Sequence, residues 1–236
     1  MKIAILTPSR QRADQYERFE SSVFDLQSGD NEVKFFVYLD NDDPELDSYS
    51  RNSRRDDRRR TSCGEPISVS MSWNVIAEKA KNWGADILIM GNDDLIYRTE
   101  NWDRILCEKI KDLPVDDIWC AWMDDLINGE KHCAFPIIPI KVYDILGYFT
   151  PGCFNFGYND TWLFDIFNRI ERTFYIKEIV AEHMHVAINK QAADATWHRN
   201  RSGPRGNLYA LDARIWGQTT KRREDAANHL ASFITE

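Results

Sequence analysis

The chain has 236 residues, a formal net charge of −8, 43% hydrophobic residues and 29% charged residues. This composition is typical of a globular protein with one α/β domain and a substantial core, and the negative charge argues against broad, non-specific binding of nucleic acids. No stretch is apolar for long enough to cross a bilayer or to act as a signal peptide. We therefore expect a cytoplasmic protein without membrane insertion, in the host cytoplasm if the protein is viral.

The first half of the chain alternates predicted strands with predicted helices. Short apolar runs bounded by turn residues predict strands at 2–10, 33–39, 85–91 and 116–125. Amphipathic or helix-compatible stretches predict helices at 13–27, 71–84 and 100–113, of which the second is capped by Ser72 and stopped by Gly84. The arginine-rich segment 48–64 predicts a mobile polar loop. Strands that alternate with helices favour a mostly parallel sheet.

The pattern changes after residue 130, where prolines, glycines and aromatic residues become frequent. A helix is predicted to start near Asp160. The stretch YIKEIVAEHMHVAI, residues 175–188, predicts one bent strand or a pair of strands. The stretch HRNRSGPRGN, residues 198–207, predicts a polar loop before a terminal helix.

We predict a single domain over residues 1–236, because no change of composition marks a linker. Residues 1–125, in which strands and helices alternate, form the half expected to bind a nucleotide. Residues 126–236 form an acceptor-side half that ends in the C-terminal helix.

Polar side chains follow three of the predicted strands, in the stretches Thr7–Arg10, Asp40–Asp43 and Asn92–Asp94. In an open α/β sheet the carboxyl ends of the strands meet at one edge, where ligands bind. Carboxylate oxygens suit hard divalent cations such as Mg²⁺ and Mn²⁺, and such a cation can hold a pyrophosphate. Adjacent carboxylates also repel each other unless a positive charge lies beside them. The alternative is that these acids are ordinary turn and cap residues.

The order of these motifs resembles that of a GT-A glycosyltransferase of the family 2-like type. The resemblance covers roughly residues 1–190 and depends on several short motifs in a set order. They are ILTPSR, VYLDNDDP, MSWNVIAEKA, ILIMGNDD, FGYNDTW and AEHMH. The resemblance implies an α/β, Rossmann-like fold, with a GT-A-like, mostly parallel sheet flanked by helices. It also implies transfer of a sugar from a nucleoside-diphosphate sugar to an acceptor hydroxyl with inversion, with UDP as the expected nucleotide and Mn²⁺ or Mg²⁺ as cofactor.

The resemblance assigns the donor site to residues of the first half. Thr7, Pro8 and Arg10 are expected to line the nucleotide pocket, and Asp40 is expected to contact the base or the ribose. Asn74 is expected to contact the donor sugar or its phosphate. The alternatives are a solvated charge for Arg10, a turn acid for Asp40 and a helix-surface amide for Asn74.

The metal site is expected at the end of ILIMGNDD. Because this motif begins with Asn92 rather than an aspartate, Asp94 is the favoured metal ligand and Asp93 the second, while Asn92 and Asp93 also face the donor. His183 and His185 alternate along one predicted strand and therefore share a face, where either could complete the metal shell. The order of the family's motifs favours His183. The alternative for both is a histidine of the surface or the core.

Asp160, in FGYNDTW, is the candidate catalytic base. In that role it would take the proton of the acceptor hydroxyl. It follows Asn159, where the family more commonly has a glutamate. The alternative is that Asp160 caps the helix that begins there.

Other functions stay open on the sequence alone. A sugar-phosphate nucleotidyltransferase has a related fold, but it normally carries a glycine-rich basic loop where this chain has TPSRQRADQ. A non-catalytic nucleic-acid-binding protein would use the basic segments 51–60 and 198–205, which have Tyr49 and Trp197 nearby. Both ideas combine in a transferase that glycosylates a modified base in DNA, as some phage enzymes do. The acceptor is otherwise a saccharide, a protein or a small molecule.

Overall fold

Runs of β-branched and aliphatic residues build a central sheet of eight strands. A computed structural model describes residues 1–51, 56–204 and 206–235 of the chain. The strands are β1 (Lys2–Ser9), β2 (Glu32–Asp40), β3 (Arg59–Gly64), β4 (Ile87–Met90), β5 (Leu95–Tyr97), β6 (Cys120–Asp124), β7 (Ile137–Pro139) and β8 (Thr173–His183).

The order of the strands across the sheet is β3-β2-β1-β4-β7-β6-β8-β5. β1 pairs in parallel with β2 and β4, as the alternation of strands and helices predicts. β2 also pairs in parallel with β3, a strand that the sequence did not predict. β6 and β8 are also parallel. The short strands β5 and β7 run antiparallel to their neighbours. The sheet is therefore mixed, and its continuous parallel part belongs to the first half of the chain.

Helices cover both faces of this sheet. The α-helices are α1 (Ala13–Asp25), α2 (Leu46–Arg51), α3 (Val69–Trp83), α4 (Trp102–Ile110), α5 (Ile140–Leu146), α6 (Asn159–Asn168), α7 (Ala195–Ser202), α8 (Leu208–Gln218) and α9 (Thr220–Ala231). Short 3-10 helices occur at Asp56–Arg58, Gly129–Lys131 and Val186–Ile188. None of the helices formed by the described residues combines the length and the apolar character needed to span a membrane.

The two faces of the sheet bury separate cores. Along β1, Ile3 and Ile5 belong to the core beneath α1 and α4, whereas Ala4 and Leu6 belong to the core beneath α3, α6 and α9. This alternation follows the period of a β-strand, and burial on both faces explains the unbroken apolar run of β1. The carboxyl ends of β1, β2 and β4 therefore project from a closely packed support.

The predicted loop at 48–64 is in part a strand. Arg59–Gly64 forms β3 beside β2, and residues 52–55 of the prediction lie outside the described residues. The guanidinium of Arg59 lies 5.6 Å from the ring centre of Tyr16 and donates a hydrogen bond of 2.9 Å to the carbonyl of Tyr49. The prediction of a loop is therefore wrong for residues 59–64. An arginine side chain can pack its aliphatic stem and planar guanidinium against aromatic rings as well as extend into water.

The helix α3 begins earlier than predicted. Its N-cap is Ser68 rather than Ser72, because the Ser68 hydroxyl accepts a hydrogen bond of 3.2 Å from the backbone N–H of Met71. Ser72 lies inside the helix and donates its hydroxyl to the Ser68 carbonyl. Gly84 ends the helix as predicted, in a left-handed conformation with φ of 84°.

The predicted polar loop at 198–207 is helical in its first half, within α7, and two helices follow it rather than one. α7 has no apolar stripe that a sequence pattern could detect, since Asn200 is its one buried residue. Its start depends on Asp194, whose side chain accepts a 2.7 Å hydrogen bond from the backbone N–H of Trp197.

Gly91 allows the end of β4 to lie against β1. A Cβ atom on Gly91 would lie 2.5 Å from Thr7 Oγ1 and 3.0 Å from the carbonyl oxygen of Leu6. We expect Gly91→Ala to separate the two strands and to lower the free energy of unfolding by about 1–3 kcal/mol, which urea denaturation measures. The control is Gly217→Ala in α8, where a Cβ atom meets nothing within 4 Å. Alanine should stabilise that helix by up to about 1 kcal/mol. Equal stability of the two variants would contradict the close packing at Gly91.

Candidate active site

A cavity of about 360 Å³ lies at the edge of the sheet where β1, β2 and β4 end. These strands are parallel, so their carboxyl ends meet at this edge and bring together polar residues that are far apart in the sequence. The end of β8 supplies a further side of the cavity. The segment 155–161 and the helix α7 close it on the side of the chain's second half.

Most of the predicted site residues line this cavity. They are Pro8, Arg10, Asp40, Asn92, Asp93, Asp94, Asp160, His183 and His185. The structure therefore brings the predicted donor, metal and base residues to one place. Thr7 and Asn74 are not among the lining residues, and the prediction that Thr7 lines the pocket needs correction.

Thr7 faces the core rather than the cavity. It is fully buried, and it lies on the same face of β1 as Ile3 and Ile5 because side chains alternate along a strand. The missing Cβ of Gly91 leaves the space that its hydroxyl occupies. Pro8, one residue later, points to the opposite face and does line the cavity. A motif match identifies the strand end but not which of its residues faces the ligand.

Asn74 is committed to the protein's own backbone. Its side-chain oxygen accepts hydrogen bonds of 2.9 Å from the N–H groups of Phe149 and Thr150. Its side-chain nitrogen donates to the carbonyl of Thr150, also at 2.9 Å. The amide therefore ties the segment after α5 to α3, and its contact with the donor stays a prediction.

Arg12 is the positive charge beside the adjacent carboxylates at the end of β4. Its Nη1 lies 2.8 Å from Asp93 Oδ1 and 3.8 Å from Asp94 Oδ2. The two aspartates are 4% and 8% exposed, so this arginine offsets charge that would be costly to bury alone. Ser9 also donates a hydrogen bond of 2.7 Å to Asp93 Oδ2. Arg12 was not among the predicted site residues, although it lies only two residues after Arg10 in the sequence RQR.

The pKa values of this cluster follow from burial and from its charges. Burial alone would lower the pKa of Arg12, but the attraction of Asp93 and a hydrogen bond to Asp194 outweigh burial and raise it. Burial raises the pKa of Asp93, and repulsion by Asp94 adds to the effect of burial. Burial would also raise the pKa of Asp94, but His183 and Arg12 outweigh it and lower that pKa. Asp94 is therefore the carboxylate of the pair that stays ionised more readily.

Asp94 and His183 both line the cavity, and each has one ligand atom without a hydrogen-bond partner. Asp94 Oδ2 lies 3.4 Å from His183 Nε2. Asp94 Oδ1 and His183 Nε2 are both buried, and neither has a hydrogen-bond partner. The ring of His185 lies 4.8 Å from that of His183, and its Nδ1 accepts a hydrogen bond from the N–H of Ala187. His185 follows the end of β8 and caps a 3-10 helix, so the two histidines do not share one strand as predicted.

These residues fit a divalent cation only if a ligand completes its shell. Within the described residues, no three His, Cys, Asp or Glu side chains are grouped so that they could hold a metal ion. Asp93 is occupied by Arg12 and Ser9, which leaves Asp94 and His183 with free oxygen and nitrogen atoms. Mg²⁺ typically uses one or two carboxylates together with substrate phosphates and water. The donor set therefore suits a cation that arrives with, or is shared with, a phosphorylated ligand.

On the opposite side of the strand ends, Asp40 lies between two arginines. Arg10 Nη1 is 2.8 Å and Arg199 Nη1 is 3.4 Å from Asp40 Oδ2. Arg10 also contacts Asp42, and its side chain is only 14% exposed. The alternative of a solvated Arg10 is therefore excluded by its burial and pairing.

Asp160 is not the N-cap of α6. The helix begins at Asn159, and its N-cap is Tyr158, in a left-handed conformation with φ of 64° and without a side-chain hydrogen bond. Asp160 Oδ2 instead lies 3.3 Å from Nε2 of His132, and both side chains are about a third exposed to the cavity, at 30% and 29%. The hydrogen bond to Asp160 raises the pKa of His132 despite the opposing effect of burial. No local pattern in the sequence pointed to His132.

The helix α7 is held over the cavity by polar contacts with the ends of β1 and β2. Arg12 Nε donates to Asp194 Oδ2 at 2.7 Å, just before the helix. Thr196 Oγ1 donates to the carbonyl of Arg10 at 2.6 Å, and Arg199 pairs with Asp40. This segment was predicted to be a loop, so the contacts that α7 makes with Arg10 and Asp40 were not predicted.

We expect Arg12→Ala to destabilise the protein strongly, because it leaves buried carboxylates unpaired and frees Asp194. Breaking a buried pair from one side costs about 3–5 kcal/mol, so the urea midpoint should fall markedly. Arg12→Lys keeps a charge but cannot bond two acids in parallel, and should be intermediate. Arg104→Ala is the control, since Arg104 pairs with Asp30 at the surface, and it should change little. An Arg12→Ala variant as stable as the control would show that Arg12 does not hold the cluster.

Comparisons with known proteins identify the fold of this chain. No protein-family model and no curated protein sequence matches the chain. Among solved structures, the mannosyltransferase PcManGT from Pyrobaculum calidifontis, in complex with GDP-Man and Mn²⁺, superimposes with a TM-score of 0.56 at 12% identity. That match covers 98% of this chain and 84% of PcManGT.

Two further structures are similar. Residues 1–349 of TarS from S. aureus, in complex with UDP, match with a TM-score of 0.58 at 10% identity, over 77% of this chain and 60% of that one. GalNAc-T7 with UDP, GalNAc and Mn²⁺ matches with a TM-score of 0.61 at 12% identity, over 78% of this chain and 44% of that one. The chain thus spans less than two thirds of each of these two chains. At such identities the likeness establishes the fold, and the chain has the GT-A fold of these glycosyltransferases.

Proposed function

We propose that this chain is a metal-dependent glycosyltransferase that moves a sugar from a nucleoside-diphosphate sugar to an acceptor hydroxyl. One observation carries the proposal: a single cavity at the carboxyl edge of a GT-A sheet contains Asp94 and His183 with free ligand atoms, and also the carboxylate of Asp160. The similar structures were solved with GDP-Man, UDP and Mn²⁺, which supports this reading. Location in the cytoplasm is part of the same proposal.

The donor's nucleotide binds where β1 and β2 end. Pro8 offers an apolar surface there, and Asp40 offers carboxylate oxygens to a base or to ribose hydroxyls. Arg10 and Arg199 pair with that carboxylate and orient it. UDP is the favoured nucleotide. Asn92 and Asp93 lie between this part of the cavity and Asp94, where the donor's diphosphate would follow.

Asp94 and His183 are the residues that would hold the cation. A bound Mn²⁺ or Mg²⁺ offsets the negative charge that develops on a departing nucleoside diphosphate. Asp93 serves the site indirectly, since its bonds to Arg12 and Ser9 fix the turn that carries Asp94. His185, next to His183, completes the wall behind these ligands.

Asp160 acts as the general base on the acceptor. A base must stay ionised and lie within reach of the hydroxyl proton. His132 Nε2 lies 3.3 Å from Asp160 Oδ2 and orients that carboxylate in the cavity. Attack on the anomeric carbon from the face opposite the leaving group then inverts its configuration through an oxocarbenium-like state.

Donor binding should require a divalent cation. We expect calorimetry with UDP to show binding in Mn²⁺ that weakens by at least about tenfold, or 1.4 kcal/mol, in chelator. Asp94→Ala should cause a similar loss, because it removes a cation ligand. Asp144→Ala, an exposed carboxylate on α5, is the matched control and should bind UDP normally. Equal affinity for UDP with and without chelator would exclude a cation bridge between Asp94 and the diphosphate.

A panel of nucleotides and nucleotide sugars identifies the donor. Ligands that bind only the folded state raise the melting temperature by mass action, so the strongest stabiliser in the presence of Mn²⁺ names the donor. Failure of every nucleotide to stabilise the protein would count against the proposed function as a whole.

Asp160→Asn separates catalysis from folding. Asparagine keeps the size of the side chain, and Asp160 caps no helix, so melting and UDP affinity should change little. Turnover should fall by about a hundredfold or more, which is the scale of general base catalysis. Hydrolysis of the nucleotide sugar, with water as acceptor, provides the measurement. Asp165→Asn on the same helix is the control for an acid outside the cavity. A fully active Asp160→Asn variant would remove Asp160 from the mechanism.

A further inference from the structure

The second half of the chain places a group of aromatic rings beside Asp160. We call Phe156, Tyr158, Trp197 and Tyr209 the aromatic shelf, and all four line the cavity. Tyr209 is 46% exposed, which is unusual for a ring that also packs against other rings. Its ring centre is 5.3 Å from that of Tyr158, which in turn stacks on Trp216 at 5.6 Å and 28°. One face of the shelf is therefore supported by protein while an exposed part remains available for contact.

The side chain of Asp212 fixes the backbone that carries the aromatic shelf. Asp212, which is fully buried, accepts hydrogen bonds from the N–H groups of Phe156 at 2.7 Å and Gly157 at 2.9 Å. A Cβ atom on Gly157 would lie 3.0 Å from the Tyr209 ring, so glycine lets the ring approach the backbone. A surface fixed in this way loses little conformational entropy when a ligand binds.

Arg201 is a cation without a counter-charge at this shelf. Its guanidinium carbon lies 4.7 Å from the Trp197 ring centre, 5.4 Å from that of Phe156 and 6.0 Å from that of Tyr209. Arg10, Arg12 and Arg199 each pair with an aspartate, but no carboxylate of the described residues pairs with Arg201. Burial lowers the pKa of Arg201, which reflects a charge that is partly desolvated and not offset.

We propose that Arg201 and the aromatic shelf form the acceptor subsite for a sugar ring that carries an acidic group, a phosphate or a carboxylate. This inference rests on the proposed glycosyltransferase function. The C–H face of a sugar ring packs against an aromatic face, and a guanidinium matches the two oxygens of a carboxylate or phosphate. Phe156 and Tyr158 lie in the segment that leads directly into Asp160, so an acceptor on the shelf is beside the base.

A single acidic group fits this chain better than a polyanion does. The net charge of −8 disfavours a long nucleic acid, whose binding depends on many phosphate contacts. A nucleobase could also stack on the shelf, so a single-stranded oligonucleotide belongs in the test. The proposed donor diphosphate is another anion that Arg201 could bind, so the test measures UDP affinity as well.

The experiment compares neutral sugars with their acidic counterparts on protein saturated with UDP and Mn²⁺. The pairs are glucose and glucuronate, galactose and galacturonate, and mannose and mannose 6-phosphate, with a thymidine oligonucleotide as the nucleic-acid arm. Calorimetry should show the acidic member of at least one pair binding about tenfold tighter or more, the scale of charge-assisted hydrogen bonds. No preference for acid in any pair would overturn the proposal.

Variants assign that preference to named residues. In Arg201→Ala the ratio of acidic to neutral affinity should fall close to one, and Arg201→Lys should retain part of it. Tyr209→Ala should weaken both members of a pair, whereas Tyr209→Phe keeps the stacking face. Arg104→Ala, remote from the cavity, should leave the ratio unchanged.

Three further outcomes would overturn the proposal. They are an acid preference that survives in Arg201→Ala, a loss of UDP affinity in that variant as large as the loss of acid preference, and Arg201-dependent binding of the oligonucleotide that exceeds binding of every acidic sugar. The wild-type protein is titrated with UDP and Mn²⁺ before any sugar is added. If UDP does not bind at that step, the proposed glycosyltransferase function is contradicted. If UDP binds normally but no acidic sugar is preferred, only the proposed acceptor subsite is contradicted.

Discussion

The buried guanidinium of Arg12 is the contact on which the geometry of the site depends. It lies within 2.8 Å of Asp93 and 3.8 Å of Asp94 at the end of β4, and it bonds Asp194 before α7. Charges attract strongly where water is excluded, but taking them out of water is costly, so such a cluster holds together only when every partner is in place. The Arg12 side chain thereby connects the turn after β1, the aspartates at the end of β4 and the start of α7.

This arrangement gives two adjacent carboxylates different tasks. Both carboxylate oxygens of Asp93 accept hydrogen bonds, one from Arg12 and one from Ser9, so this residue supports the structure of the turn. Asp94 keeps one buried oxygen without a partner and faces His183, whose Nε2 is equally free. Arg12 offsets part of the repulsion between the two acids, and the pair of Asp94 and His183 is the site that we propose for a cation with phosphate ligands.

The sequence predicted those parts of the site that depend on local pattern. Strand ends are marked by apolar runs that stop at polar residues, so Pro8, Arg10, Asp40 and Asp94 could be placed at one edge before the fold was known. Arg12 and Asp194 are 182 residues apart, and His132 and Asp160 are 28 apart, and no periodicity connects such pairs. Thr7 was misassigned for a related reason: a motif shows where a strand lies, whereas neighbours in space decide which of its side chains face the cavity.

The two halves of the cavity are built on different principles, and they meet at α7. The half that we propose for the donor rests on parallel strands, whose positions are set by the sheet, while the half that we propose for the acceptor rests on irregular backbone held by Asp212 and by stacked rings. Arg199 and Arg201 lie on the same short helix, where Arg199 pairs with Asp40 and Arg201 lies against the aromatic shelf. The proposed nucleotide site and the proposed acceptor subsite therefore share one helix, because α7 contributes a cation to each of them.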